Sequence, residues 1–292
     1  MPHILDGKKI AQKLKDQLKI EIESIKLKFN RVPGLAVIQV GNIAASSVYV
    51  KAKTIAAKGV GINVLDYHLE DKIDQIKLVE LINKLNQNDE VDGILVQLPL
   101  PKSFNEQEIL DCITPEKDAD GFHPINVGKL SISQRNDENL IIPCTPFGCL
   151  LLLRELNINM VGKNAVVIGR SNIVGKPMAQ LLLKESCTVT IVHSKTVNIK
   201  NICKNADILV AAIGKPEFIN KDWVKDEAVV IDVGINRVQL SEGKSKLVGD
   251  VLFQEVKDKA LAISPVPGGV GPMTIACLLR NTTISCKKKL TN

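Results

Sequence analysis

The sequence predicts an α/β protein of two lobes, an N-terminal βαβαβ lobe followed by a Rossmann-like lobe. Two observations predict it. Short apolar runs that stop at Gly or Pro alternate with stretches of helical period, the pattern of strands joined by crossover helices. The alternation breaks once, across a Gly-, Pro- and Asp-rich stretch at 102–143, and then resumes. At 292 residues the chain can bury two such cores.

The elements follow in order. Ile10, Leu14, Leu18, Ile22, Ile25 and Phe29 recur every three or four positions, which predicts one amphipathic helix. "LAVIQVG" (35–41) is a nearly continuous apolar run ending in Gly, as in a strand buried on both faces. A helix containing Tyr49 and Lys53 comes next, then a strand at 62–69, a helix at 73–86 and a third strand, "DGILVQLPLP" (92–101). The stretch 102–143 reads as a long functional loop and linker. A connecting helix is expected over 145–156, with Thr145 as its cap and Pro146 at its first position. The second α/β series starts with strand, turn and helix over 164–185. Further strands are expected at 188–194, 207–214, 228–234 and 261–268, and a last helix from Pro272. The expected division is a catalytic lobe over 1–143, completed by the helix 272–292, and a Rossmann-like lobe over 144–271.

Composition narrows the function. Aromatics make up only 3% of residues, so the core must be aliphatic. The net charge of +6 comes from scattered lysines and a short "CKKKL" tail, without an arginine stripe or interleaved aromatics, so no nucleic-acid partner is expected. The first 25 residues are too charged for a signal-peptide core, and no apolar run reaches membrane-spanning length. Seven cysteines without a C-x-x-C pair argue against a disulfide framework or a zinc site. A cytoplasmic protein without a metal is expected.

"AVVIGRSNIVGKP" places Gly169, Arg170 and Ser171 in a tight turn between strand and helix. A helix N-terminus with unpaired N–H groups suits a phosphate there. The spacing is not that of G-x-G-x-x-G, and Pro177 replaces the hydroxyl that a magnesium-dependent NTPase needs. A glycine-containing turn with no ligand is the plain alternative. The next strand ends in "VHSKT" with no carboxylate to take a ribose 2′-OH, while Ser194, Lys195 and Arg170 suit a 2′-phosphate. NADP is therefore favoured over NAD.

Tyr49 and Lys53, four apart, share a helix face, and Lys53 is a candidate proton donor or acceptor. A surface lysine beside a half-buried tyrosine is the bland alternative. Gln97, polar inside an apolar strand end, needs a hydrogen-bond partner, and Lys53 is a natural one. Asp120 stands in the following loop.

Taken in order, "YVKAK", "GILVQLPLP", "PEKDADGFHPINVGKL", "PCTPFG", "GRSNIVGKP", "VHSKT" and "SPVPGGVGPMT" resemble the bifunctional methylenetetrahydrofolate dehydrogenase/methenyltetrahydrofolate cyclohydrolase family over essentially the whole chain. The resemblance implies oxidation of 5,10-methylenetetrahydrofolate by NADP⁺, then hydrolysis to 10-formyltetrahydrofolate, in one cleft between the lobes. It implies Lys53 as the catalytic lysine, Gln97 holding it, Tyr49 stacking on the folate and Asp120 bonding the pterin. Leu98, Pro267, Gly268 and Gly269 would line the folate site. Gly169, Arg170, Ser171, Ser194, Lys195 and Ile235 would contact the cofactor. A homodimer formed through the second lobe is also implied. The chain departs from the family's usual residues at Ile43-Ala44 (often Asp-Pro), Ser264 (Thr) and Lys195 (Arg). Competing readings are a shikimate-dehydrogenase-like enzyme, an NADP-sensing module without turnover, and a dehydrogenase lacking the hydrolytic step.

Overall fold

Strand β1 (His3–Ile4) and the amphipathic helix α1 (Gly7–Phe29) open the chain, followed by β2 (Gly34–Val40), every residue of which is buried. The computed structural model describes residues 3–42, 44–133, 137, 139–239 and 245–291, with the backbone alone at 44–46. Contacts divide it into two compact units. The first holds Gln12–Ser133, a segment ending at Cys144 and the chain from Ile275; the second holds the segment up to Ala11 and Thr145–Thr274.

In the first unit, α2 (Ala44–Val60) crosses from β2 to β3 (Asn63–Leu69), and α3 (Gln75–Gln87) crosses back to β4 (Gly93–Val96). The three strands form a parallel sheet in the order β3-β2-β4, so the expected βαβαβ unit is present. Strand β4 stops at Val96, short of the expected 101, because prolines at 99 and 101 cannot donate to a ladder. The expected loop over 102–143 contains two helices, α4 (Glu106–Asp111) and α5 (Pro124–Ile132). Their starts carry local signals: Asn105 accepts from Glu108 N–H, and His123 Nδ1 accepts from Ile125 N–H with Pro124 at the first helical position.

The connecting helix α6 (Cys144–Glu155) includes Thr145 rather than being capped by it; the Thr145 hydroxyl hydrogen-bonds that of Thr274 at 3.1 Å. The second unit continues with β5 (Asn164–Ile168), α7 (Gly175–Lys184), β6 (Thr188–Val192), α8 (Ile199–Cys203), β7 (Ile208–Ala211) and β8 (Val229–Asp232). An antiparallel pair, β9 (Asn236–Gln239) with β10 (Ser245–Val248), was not signalled by the sequence pattern. Helix α9 (Phe253–Val256), β11 (Ala262–Ile263) and the long helix α10 (Val270–Thr291) complete the chain. The main sheet is parallel throughout, in the order β1-β11-β8-β7-β5-β6. Strand β11 is far shorter than the expected 261–268, since prolines at 265 and 267 follow it at once.

Within the first unit, α10 lies against β4: a side-chain carbon on Gly93 would sit 2.8 Å from Thr282 Oγ1. The N-terminal edge of that sheet is pinned by Asp92, which is 2% exposed. Arg31 Nη2 donates to both its oxygens at 2.8 and 3.0 Å, and Gly34 N–H donates to Oδ2 at 2.9 Å. Replacing one member of a buried ion pair leaves the other desolvated and unpaired. We expect Asp92→Ala to cost about 3 kcal/mol, read as a lower urea midpoint at unchanged slope. A loss below about 1 kcal/mol would show that this pin is not structural.

Candidate active site

Helix α2 carries Tyr49 and Lys53 on one face, one turn apart. Lys53 is only 4% exposed, so its ammonium needs partners inside the protein. Its Nζ donates to Gln97 Oε1 at 3.1 Å and stands 5.1 Å from the centre of the Tyr49 ring, within cation–π range. Gln97 is oriented by the strand end: its backbone N–H donates to Ile38 O at 2.8 Å and its Nε2 to Leu98 O at 2.6 Å. An ammonium has only donors, so Gln97 turns its carbonyl oxygen towards Lys53 and its amide nitrogen towards Leu98 O. Lys53 thus stands at the carboxyl end of a parallel strand, where open α/β sheets bind ligands.

Asp120 lies in the loop after β4. Burial pushes its carboxyl up to about 6; the Lys53 charge pulls it down and Asp118 adds to the rise. The loop is held from two sides. Asp118 Oδ1 accepts from Gly121 N–H at 3.0 Å, and its Oδ2 accepts from His123 N–H at 2.8 Å and Asn126 Nδ2 at 2.9 Å. From α10, the fully buried Asn281 donates to Ala119 O at 3.0 Å and Ile142 O at 2.8 Å. Cys144 N–H donates to Asp120 O at 3.2 Å, and burial pushes the Cys144 thiol well above its ordinary range. Asp118 and Asn281 are supports that the sequence reading missed. Gln39 was missed as well: it is 2% exposed on β2, and its Nε2 donates to Gly41 O at 2.9 Å and Ser47 Oγ at 2.7 Å. The signal was visible, since Gln39 interrupts an apolar run just as Gln97 does. Ile43 lies outside the described residues.

The second unit presents a different kind of site. Its strand order reverses at β5, whose neighbours are β6 and β7, and a crevice opens at such a switch point beyond the strand ends. Gly169 stands there with φ +123, and a side-chain carbon on it would lie 2.2 Å from Ala212 O. A carbon on Gly175 would lie 2.3 Å from Gly169 O, so the turn and the start of α7 approach as only glycine allows. Ser171 Oγ accepts from Val174 and Gly175 N–H at 3.2 and 3.3 Å, shaping the helix entry. Gly169 N–H donates to Val192 O at 2.9 Å, which sets this turn beside the one after β6. Arg170, Ser194 and Lys195 are exposed there, and Lys195 N–H donates to His193 Nδ1 at 3.2 Å.

Ile235, 53% exposed, follows β8 in the same unit, and so does the segment from Pro267 to Gly269, in which the Val266–Pro267 peptide is cis and Gly269 N–H donates to Pro265 O at 2.9 Å. Two buried carboxylates, neither predicted, order the loops beyond β7 and β8. Asp232 accepts from the N–H groups of Gly234, Asp250 and Val251 at 2.9–3.0 Å, and Asp250 accepts from those of Ile213, Gly214 and Lys215 at 2.7–3.0 Å. Burial pushes the Asp232 carboxyl up to about 7 against those donors. The hydroxyl of Ser264 accepts from Asp232 N–H at 2.8 Å.

Two family models match the chain: tetrahydrofolate dehydrogenase/cyclohydrolase, catalytic domain, over residues 5–120, and the NAD(P)-binding domain of the same family over 143–290. The chain belongs to this family. A curated relative, bifunctional protein FolD of a Sulfurihydrogenibium species, is 55% identical over 98% of both chains. The crystal structure of bifunctional FolD from Campylobacter jejuni superposes with a TM-score of 0.91 at 46% identity, covering 99% of this chain and 100% of that one. The FolD of Trypanosoma brucei, complexed with NADP cofactor and inhibitor, superposes with a TM-score of 0.94 at 37% identity, covering 100% and 99%. The α/β fold, its parallel sheets and the catalytic and NAD(P)-binding domains are therefore those of the tetrahydrofolate dehydrogenase/cyclohydrolase family.

The electrostatic link between Lys53 and Asp120 is testable without turnover. In a carbon-13 NMR titration the Asp120 carboxyl is expected to titrate near pH 6. Lys53→Met should move that midpoint upward, because the lysine cation favours the carboxylate. An Asp120 midpoint that Lys53→Met leaves unchanged would separate the two residues.

Proposed function

We propose that the chain oxidises 5,10-methylenetetrahydrofolate with NADP⁺ to the 5,10-methenyl cation and then hydrolyses that cation to 10-formyltetrahydrofolate. The carrying observation is the buried Lys53, held by Gln97 against the Tyr49 ring at a strand end. We assign folate recognition to the first unit and cofactor binding to the second.

Oxidation needs little covalent help, because the nitrogens flanking the methylene carbon stabilise the cation that forms; orientation matters most. Bound NADP⁺ supplies the hydride acceptor. Tyr49 offers a ring face for the folate ring system, and Asp120 offers carboxyl oxygens to the pterin. Hydrolysis adds water to the methenyl carbon, releases a proton and opens one carbon–nitrogen bond. Lys53 moves that proton, with Gln97 fixing the position of its Nζ.

The second unit suits a dinucleotide carrying a 2′-phosphate. The close backbone approach of Gly169 and Gly175 leaves the turn open to a pyrophosphate. Residues 193–196 contain no carboxylate that would repel a 2′-phosphate, and Arg170, Ser194 and Lys195 supply positive charge and a hydroxyl. The NADP named with the Trypanosoma brucei relative supports this choice.

We further infer a homodimer formed through the second unit, supported by β6, an edge strand whose Ile191 is 39% exposed. A cytoplasmic location is supported by seven cysteines of which none forms a disulfide. No helix among the described residues is long and apolar enough to cross a membrane.

The experiment is an absorbance assay of reduced nicotinamide, with 5,10-methylenetetrahydrofolate and either NADP⁺ or NAD⁺. Reduction is expected with NADP⁺, and Arg170→Ala should raise the KM for NADP⁺ while leaving that for NAD⁺ nearly unchanged. Turnover with NAD⁺ alone would overturn the cofactor assignment. Cofactor binding without turnover would favour a sensing module.

A further inference from the structure

At the N-terminal edge of the first unit's sheet, beside Val91 and Asp92, lies a cavity of about 670 Å³. Lys53 and Gln97 belong to the opposite end of that sheet, so the cavity is separate from the folate site. Five lysines line it, from three parts of the chain: Lys117, Lys129 on α5, and Lys287, Lys288 and Lys289 near the end of α10.

Three of them are already engaged. Lys117 Nζ donates to the carbonyls of Leu85, Asn86 and Asn88 at 2.7–2.9 Å, closing the end of α3. Lys287 pairs with Glu21 at 2.5 Å and Lys289 with Asp89 at 2.6 Å. No ion pair is formed by Lys129 or Lys288 among the described residues, although both face the same space. Among the described residues, Asp92 is held by Arg31, and Glu116 and Asp137 act on Lys288 without forming an ion pair with it.

The cost of this arrangement is visible in the lysines themselves. Burial, and then the neighbouring Lys289, hold Lys117 below its ordinary range; burial, and then Lys129, do the same to Lys288. Ser285, 7% exposed, also lines the cavity, and its hydroxyl has no hydrogen-bond partner among the described residues. Cations gathered around one cavity are relieved by one multivalent anion. Among the described residues the lining carries neither an arginine fork for a planar carboxylate nor an aromatic face for a base. Point charges brought to one cavity from three parts of the chain fit a chain of phosphates.

We propose that this cavity binds a polyphosphate anion, either inorganic or as the tail of a nucleotide. The test is calorimetric titration of the full chain with inorganic tripolyphosphate at fixed ionic strength, with saturating NADP⁺ present to occupy the second unit. One site is expected. Lys129→Gln/Lys288→Gln should weaken it by at least about tenfold, the loss of charged hydrogen bonds. The exposed pair Lys19→Gln/Lys77→Gln removes the same charge elsewhere and should leave the site unchanged. Both double variants are expected to keep wild-type dehydrogenase activity, which shows that they fold. A parallel titration with ATP distinguishes the sources: equal affinity assigns the ligand as the phosphate chain alone, and tighter binding adds the nucleoside. No binding of tripolyphosphate, or equal weakening by both double variants, would overturn the proposal.

Discussion

A lysine ammonium that is 4% exposed is the constraint on which the first unit's candidate site rests. Moving such a group out of water costs several kcal/mol unless it is hydrogen-bonded and balanced. One hydrogen bond to Gln97 supplies about 1.5–3 kcal/mol, and the Tyr49 ring face about 2 kcal/mol at most. Neither carries a charge. The balance falls to the carboxyl of Asp120, whose own burial raises it to about 6 while Lys53 pulls it back. The two groups are thus mutually dependent. What holds Asp120 therefore also holds the charge that balances Lys53: Asp118 closes the loop on one side, and Asn281 of α10 holds it on the other.

The second unit follows another rule. Its site is made of backbone rather than of reactive side chains: a glycine turn at the strand-order reversal, and two buried aspartates that gather the N–H groups of neighbouring loops. An arrangement of that kind positions a ligand and leaves the chemistry to it. Under the proposed function the first unit supplies the proton-transfer group, Lys53, and the second unit positions the cofactor.

The sequence made legible those features with a local physical cause. The strands β2 to β8 and the helices α2, α3 and α7 follow from apolar runs and helical period, and the Tyr49–Lys53 face follows from a spacing of four. Gln97 could be singled out because a polar group in an apolar strand must find a partner, and the partner is Lys53. Features that depend on distant residues were not legible. Strand β1 exists only because β11 lies beside it, and β9 only because β10 does. Asn281 reads as one polar position in a long helix; its contacts with Ala119 and Ile142 are set by packing more than a hundred residues away in the chain. Helices α4 and α5 did carry cap signals, but the surrounding Gly and Pro content outweighed them.

The most direct measurement follows both products of Lys53→Gln in a single reaction with 5,10-methylenetetrahydrofolate and NADP⁺. Reduced nicotinamide should still form while 10-formyltetrahydrofolate does not, so that the methenyl intermediate accumulates. Equal loss of the two activities would contradict the assignment of Lys53 to proton transfer and make it a residue of general binding or structure.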